Sequence, residues 1–310
     1  HEGKGRVNQF LDDLNQANAL IHVIDVSGST TTEGEPVPPG TQDPVEIIQF
    51  LENELDMWYY RILNKGWEKF ARQIQQEARD INKSIAKQLS GLRVTEEIAT
   101  EATKEFKKPI REWADDEIKL LARKLRATTK PMLIAANKID VPGAQENLKK
   151  IKEAFPNYII IGCSAESELA LKEATKKNLI NYIPGETDFT IIKPESLNGG
   201  QTNALNFIKT NILIKNNGTG VQDALDKAVF QLLEMIAIFP GGARLEDKDG
   251  NVLPDCFLLK KDSTALDFAF YLHTDIGQGF IKAIDIKTKN AVGKDHKLKH
   301  RDVIEIKTKA

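Results

Sequence analysis

Apolar positions along this chain follow two rhythms, which change three times. Ala19-Leu20-Ile21-His22-Val23-Ile24-Asp25 is a short apolar run closing on a carboxylate, the pattern of a buried parallel strand. An amphipathic stretch carrying Phe10, Leu11 and Leu14 precedes it, and Gly34, Pro36, Pro38, Pro39 and Gly40 force a loop after it. From about residue 45 to 126 apolar residues recur three and four apart, as in Leu51, Leu55, Trp58 and Ile62, or Ile118, Leu121 and Leu125. That period predicts a helical hairpin or small bundle, with Thr95 ahead of Glu96 and Glu97 as an N-cap.

Strand–helix alternation returns after Lys130. Residues 131–136 and 158–161 read as strands, and helices fit 144–154, 169–178 and 221–233. Such alternation implies parallel βαβ units and an α/β fold. Beyond residue 234 the pattern is mostly strand, at 235–239, 256–259, 280–286 and 303–306, with one helix at 264–272. Four strands around one helix is a β-grasp pattern, hence a small α+β domain. The expected division is an α/β domain from 1–44 and 127–233, a helical insertion at 45–126, and a β-grasp domain at 234–310.

Composition narrows the class. The 310 residues are 41% hydrophobic and 28% charged, which argues against disordered and fibrous chains. A net charge of −2 removes any global pull toward nucleic acid or membrane. No apolar run approaches the roughly 20 residues of a membrane span. Two cysteines, Cys163 and Cys256, make no disulfide framework. The expectation is a soluble, monomeric cytoplasmic protein with no membrane contact.

Asn137-Lys138-Ile139-Asp140 follows the end of an apolar strand, where open α/β sheets bind ligands. A carboxylate there accepts two hydrogen bonds from guanine's ring N–H and amino group, a donor pair adenine lacks. The Asn bonds the base and braces a neighbouring loop, and the Lys stem lies over the ring. Gly162-Cys163-Ser164-Ala165 ends the next strand. In that order the Ala165 N–H meets the guanine keto oxygen while Ser164 braces Asp140. Other candidates read as structure. His296 and His300 stand four apart with His273 earlier, but no third convergent ligand on a helix makes a zinc site. Asp12-Asp13 is the polar face of a helix, and Cys163 has no paired base and reads as core.

These two motifs together resemble P-loop GTPases, and more narrowly the Obg-related YchF-type family with a C-terminal TGS domain, in an archaeal-looking branch. His1-Glu2-Gly3-Lys4-Gly5-Arg6 and Asn8 to Leu14 resemble the segment just after the family's switch II. Thr264-Ala265-Leu266-Asp267-Phe268-Ala269, His273-Thr274-Asp275-Ile276-Gly277, Val292-Gly293 with Asp295-His296, and Asp302-Val303-Ile304 are TGS-like. The resemblance implies GTP or GDP as ligand, GTP hydrolysis, and action in translation through a ribosome or RNA contact. Nine Lys and Arg against four Asp and Glu between Lys282 and Lys309 suit that contact. The sequence holds no G-x-x-x-x-G-K-[S/T]. By the family pattern the phosphate loop, switches I and II and the Mg²⁺ ligands are expected ahead of His1, so no catalytic and no metal-binding residue is assigned. The alternative is an RNA- or ribosome-binding adaptor whose nucleotide site is degenerate or only regulatory. A third reading has the helical insertion, with sixteen Lys and Arg against fourteen Asp and Glu between Phe50 and Arg126, dock a protein partner.

Overall fold

The computed structural model describes residue 14 and residues 16–242, 245, 250–252 and 255–309. The stretches His1–Arg6 and Asn8–Asp13, including Phe10, Leu11 and the Asp12-Asp13 pair, lie outside the described residues. The chain forms two compact units, His1–Ala228 and Val229–Ala310.

The first unit is built on three parallel strands, β1 (Leu20–Asp25), β2 (Met132–Asn137) and β3 (Ile159–Cys163), hydrogen-bonded in that order. Ile24, Ile134, Ala136 and Ile160 bury against Ile48, Ala144 and Ile151 from the covering helices. In β2, Met132 to Ala136 are buried on both faces, the burial expected of a strand between two partners. β1 has no second neighbour among the described residues and leaves Val23 63% exposed. Register places Asp25, Asn137 and Cys163 side by side at the carboxyl ends of the three strands.

Between β1 and β2 the chain is helical. Asp43 accepts the Val45 N–H at 3.0 Å and, with Pro44 at the first position, starts α1 (Pro44–Asn64). There follow α2 (Trp67–Gln76), α3 (Ile81–Gln88), α4 (Glu96–Thr103) and α5 (Asp115–Thr129). Thr95 caps α4 through the Ile98 N–H. Tyr59, Leu63, Leu121 and Leu125 form the shared core, and Trp113 stacks on Trp67 with centroids 5.9 Å apart. Arg126, 2% exposed, donates to Asp56 at 2.7 Å and to Glu52 at 3.4 Å, and Tyr158 beside β3 also bonds Glu52. This polar clamp ties α1 and α5 to the segment leading into β3.

After β2 comes α6 (Ala144–Ala154), and after β3 comes α7 (Ala165–Lys176). The β4–β5 hairpin (Ile180–Asn181 and Thr190–Ile191) and α8 (Gly199–Phe207), which runs on as a π-helical segment to Ile214, were not foreseen. Two adjacent glycines, Gly199 and Gly200, disfavour helix. Yet Asn198 accepts the Gln201 N–H and the Gln201 side chain accepts the Asn198 N–H, a reciprocal cap that starts a helix there. The unit closes with α9 (Val221–Asp226).

The second unit is a five-stranded sheet of β6 (Met235–Pro240), β7 (Phe257–Lys260), β8 (Phe280–Asp285), β9 (Asn290–Val292) and β10 (Asp302–Thr308), in the order β7-β6-β10-β8-β9. β10 lies parallel to β6, and the other pairs are antiparallel. The helix α10 (Ala265–Leu272), capped reciprocally by Thr264 and Asp267, buries Phe268 against Ile238, Leu259 and Ile304. This is the β-grasp arrangement with one more strand and one more short helix, α11 (Thr274–Gln278), than the sequence pattern signalled.

Candidate functional site

The carboxyl ends of β1, β2 and β3 form one row, and the loops leaving them converge just beyond it. Lys138, the first residue after β2, has φ of 67°, a left-handed conformation uncommon for a side-chain-bearing residue. Its carbonyl accepts the Val141 N–H at 3.2 Å, closing a tight turn that brings Asp140 back toward β3. The Ile139 N–H donates to the Cys163 carbonyl at 3.2 Å and Ile139 is buried, so the four-residue motif is anchored through its apolar member.

The Ser164 hydroxyl, fully buried, donates to Asp140 Oδ1 at 2.8 Å and lies 2.8 Å from the Ser167 hydroxyl. The other oxygen of Asp140 has no hydrogen-bond partner among the described residues. Ala165 opens α7, so its N–H is one of the four that a helix leaves without an internal acceptor. Asn137 Oδ1 takes it at 3.0 Å, joining the two motifs through side chain and backbone. A keto oxygen entering here would share or replace the Asn137 oxygen on that donor.

The Ser164–Ala165 turn is held from behind. The Ser164 N–H donates to the Thr219 carbonyl at 2.8 Å, and the Thr219 hydroxyl donates at 2.6 Å to Glu168, which is buried and also receives the Tyr182 hydroxyl at 2.8 Å. Gly220 has φ of 78°, and a Cβ there would stand 2.0 Å from the Gly162 carbonyl oxygen. Only glycine permits this approach. Burial pushes the Tyr182 hydroxyl, with Glu168 beside it, up to about 12.

Lys138 turns its ammonium toward β1. Its Nζ donates to Thr30 Oγ1 at 2.6 Å, to Asp25 Oδ2 at 2.9 Å and to Ser29 Oγ at 3.3 Å. Asp25 further accepts the Ser27 N–H and hydroxyl, the Ser29 hydroxyl and the Thr30 hydroxyl, at 2.5 to 2.9 Å. Burial opposes its charge, but the donations from Ser27, Thr30, Lys138 and Ser29 outweigh it and hold the carboxyl well below the usual range. Asp25 was legible only as a strand end. The signal for more was a carboxylate closing an apolar strand, followed within five residues by three hydroxyls.

Two of the remaining histidine candidates accept backbone N–H groups. His300 Nδ1 accepts the Ala237 N–H at 3.2 Å, and His273 Nδ1 accepts the Asp275 N–H at the start of α11. Burial, with Asp223 nearby, pushes the Cys163 thiol up to about 12, which disfavours a thiolate. Among the described residues no three His, Cys, Asp or Glu side chains gather as a metal site, and no helix is long and apolar enough to cross a membrane.

Residues 135–241 match the family described as "Obg-like GTPase YGR210-like, G4 motif-containing domain", and residues 238–308 match the TGS domain. The chain is 48% identical over 308 residues to a GTP-binding protein of Methanocaldococcus jannaschii, covering 99% of this chain and 77% of that one. It is similar to the crystal structure of a GTP-binding protein from Pyrococcus horikoshii OT3, with TM-score 0.76 and 40% identity, over 96% of this chain and 81% of the other. A YchF GTPase of Schizosaccharomyces pombe shares the fold at TM-score 0.54 and 17% identity, over 97% and 75% of the two chains.

Proposed function

The chain belongs to the Obg-like, YchF-type family of GTP-binding proteins with a TGS domain, and from that membership we propose that Asn137, Lys138, Asp140, Ser164 and Ala165 bind the guanine base of GTP and GDP. The observation that carries the assignment is the convergence of the two motifs on one spot. Asp140, fixed by Ser164, keeps one carboxylate oxygen without a partner among the described residues, beside a helix-opening N–H that suits a keto oxygen. In this reading residues 1–44 and 127–233 form the nucleotide domain, 45–126 its helical insertion and 234–310 the TGS domain.

The activity proposed is GTP hydrolysis. Phosphoryl transfer depends on positioning and charge stabilisation around the phosphates. The residues described here would contribute base recognition, and the phosphates of the bound nucleotide would help to hold Mg²⁺. The proposed setting is translation in the cytoplasm, with RNA or the ribosome as partner of the TGS domain. Lys282, Lys287, Lys289, Lys294, Lys297, Lys299 and Arg301 are all exposed, and such a surface gains affinity for a phosphate backbone by releasing counterions. That observation also favours the second reading, an RNA- or ribosome-binding adaptor with a degenerate or regulatory nucleotide site.

Calorimetric titration of the full protein with GDP and with ATP, beside an Asp140→Ala variant, separates the two. GDP binding that Asp140→Ala abolishes, with weak ATP binding, supports the guanine site. Absence of binding to either nucleotide puts the adaptor first. An RNA affinity that falls steeply with salt, and falls again on removal of the exposed lysines, tests the proposed partner.

A further inference from the structure

The geometry points to Asp25 as a positioning residue for base binding, acting through Lys138. The inference rests on the guanine reading above and extends the site to a third strand.

Asp25 and Asn137 are register neighbours, so the strand pairing itself brings the Asp25 carboxylate beside the turn that carries Lys138. The carboxylate is mostly buried, with its side chain 12% exposed, and five donors saturate it. It is therefore a rigid fixture and not a surface partner of convenience. Lys138 is held at both ends, by a left-handed backbone at φ 67° and by its ammonium on Asp25, Ser29 and Thr30. The four methylenes between become a fixed apolar bar along the carboxyl edge of the sheet. A free lysine carries rotamer entropy that a ligand would have to quench. Here that freedom is already surrendered, which is the logic of preorganisation. Neutralising the ammonium on Asp25 also keeps it from reorganising when a flat ring settles on the stem.

This assignment separates what Asp25 does from what Asp140 does. Asp140 reads the ring N–H and the amino group, so its loss erases the preference for GDP over IDP, whose base lacks the amino group. Asp25 sets only the bar under the ring, so Asp25→Asn should weaken GDP and IDP alike, about tenfold each, and leave their ratio unchanged. In a Lys138→Ala background Asp25→Asn should have no further effect, because the group through which it acts is gone.

The experiment is calorimetric titration of the full protein with GDP and IDP for wild type, Asp25→Asn, Lys138→Ala, the double variant and Asp140→Ala. Parallel tenfold losses in Asp25→Asn, absent in the double-variant comparison, support the assignment. An Asp25→Asn affinity within twofold of wild type overturns it, as does an equal loss on the Lys138→Ala background. If Asp25→Asn does not fold, Thr30→Val removes one acceptor of Lys138 and leaves the carboxylate in place. It should lower both affinities about threefold, again only when Lys138 is present, and no change there overturns the assignment. If Asp140→Ala binds GDP as wild type does, the guanine reading itself falls, an outcome distinct from failure of Asp25→Asn alone.

Discussion

Replacing Asp140 by Asn tests the proposed guanine reading without changing the volume of the side chain. Asp140 Oδ1 accepts the Ser164 hydroxyl at 2.8 Å, and the amide oxygen of Asn can keep that bond. The amide NH₂ then stands where the unpartnered carboxylate oxygen was. Guanine offers two donors toward that position, its ring N–H and its amino group, so a donor now faces a donor. One charge-assisted bond worth about 1.5–3 kcal/mol is lost, and leaving the facing donor unsatisfied costs about 1–3 kcal/mol more. The total of about 2.5–6 kcal/mol corresponds to a roughly 10²- to 10⁴-fold loss of GDP affinity. Xanthine carries a carbonyl where guanine carries the amino group, so the new amide should accept XDP and bind it more tightly than wild type does. Titration of both proteins with GDP and XDP measures the exchange. A GDP loss under fivefold, or no gain for XDP, would refute the claim that Asp140 faces the base edge.

Three further outcomes follow from the packing and charge described above. Arg126→Ala leaves Asp56 and Glu52 without their shared cation and should lower stability by about 3–5 kcal/mol in urea unfolding, whereas Arg126→Met combined with Asp56→Leu and Glu52→Leu should sit near wild type. Gly220→Ala, with a Cβ 2.0 Å from the Gly162 oxygen, should cost at least the 1–2 kcal/mol of a left-handed side-chain-bearing residue and weaken GDP binding through the displaced Ser164–Ala165 turn, read by thermal unfolding and calorimetry. Asp25, whose carboxyl titrates lower when folded than when unfolded, contributes stability that is fully present above about pH 4 and is lost as pH falls toward its folded value. The stability difference between wild type and Asp25→Asn should therefore narrow in acid, and a difference constant from pH 7 to pH 3 would contradict the linkage.

Much of this protein is determined locally and so is readable from its residue order. The helix Ala144–Ala154 and the strand ending at Asn137 follow from periodicity and flanking breakers, since burial on one face or on both imposes the spacing directly. The pairing of Asn137-Lys138-Ile139-Asp140 with Ser164-Ala165 was legible because each motif sits at a strand end, and parallel strands bring their carboxyl ends to one edge. The helix opening at Gly199 was hidden, because the reciprocal bonds of Asn198 and Gln201 outweigh the loop propensity of two glycines. Asp25 was hidden for a different reason. Its meaning depends on the register of β1 against β2 across the more than one hundred residues of helix and loop between them, and no local pattern carries that distance. The same holds for Thr219, which meets Ser164 only after a hairpin and a long helix have returned the chain to β3. Residue chemistry and spacing thus named the groups proposed to bind a base, while tertiary structure alone decided which distant side chains hold those groups still, because support is a matter of proximity in space and leaves no period in the sequence.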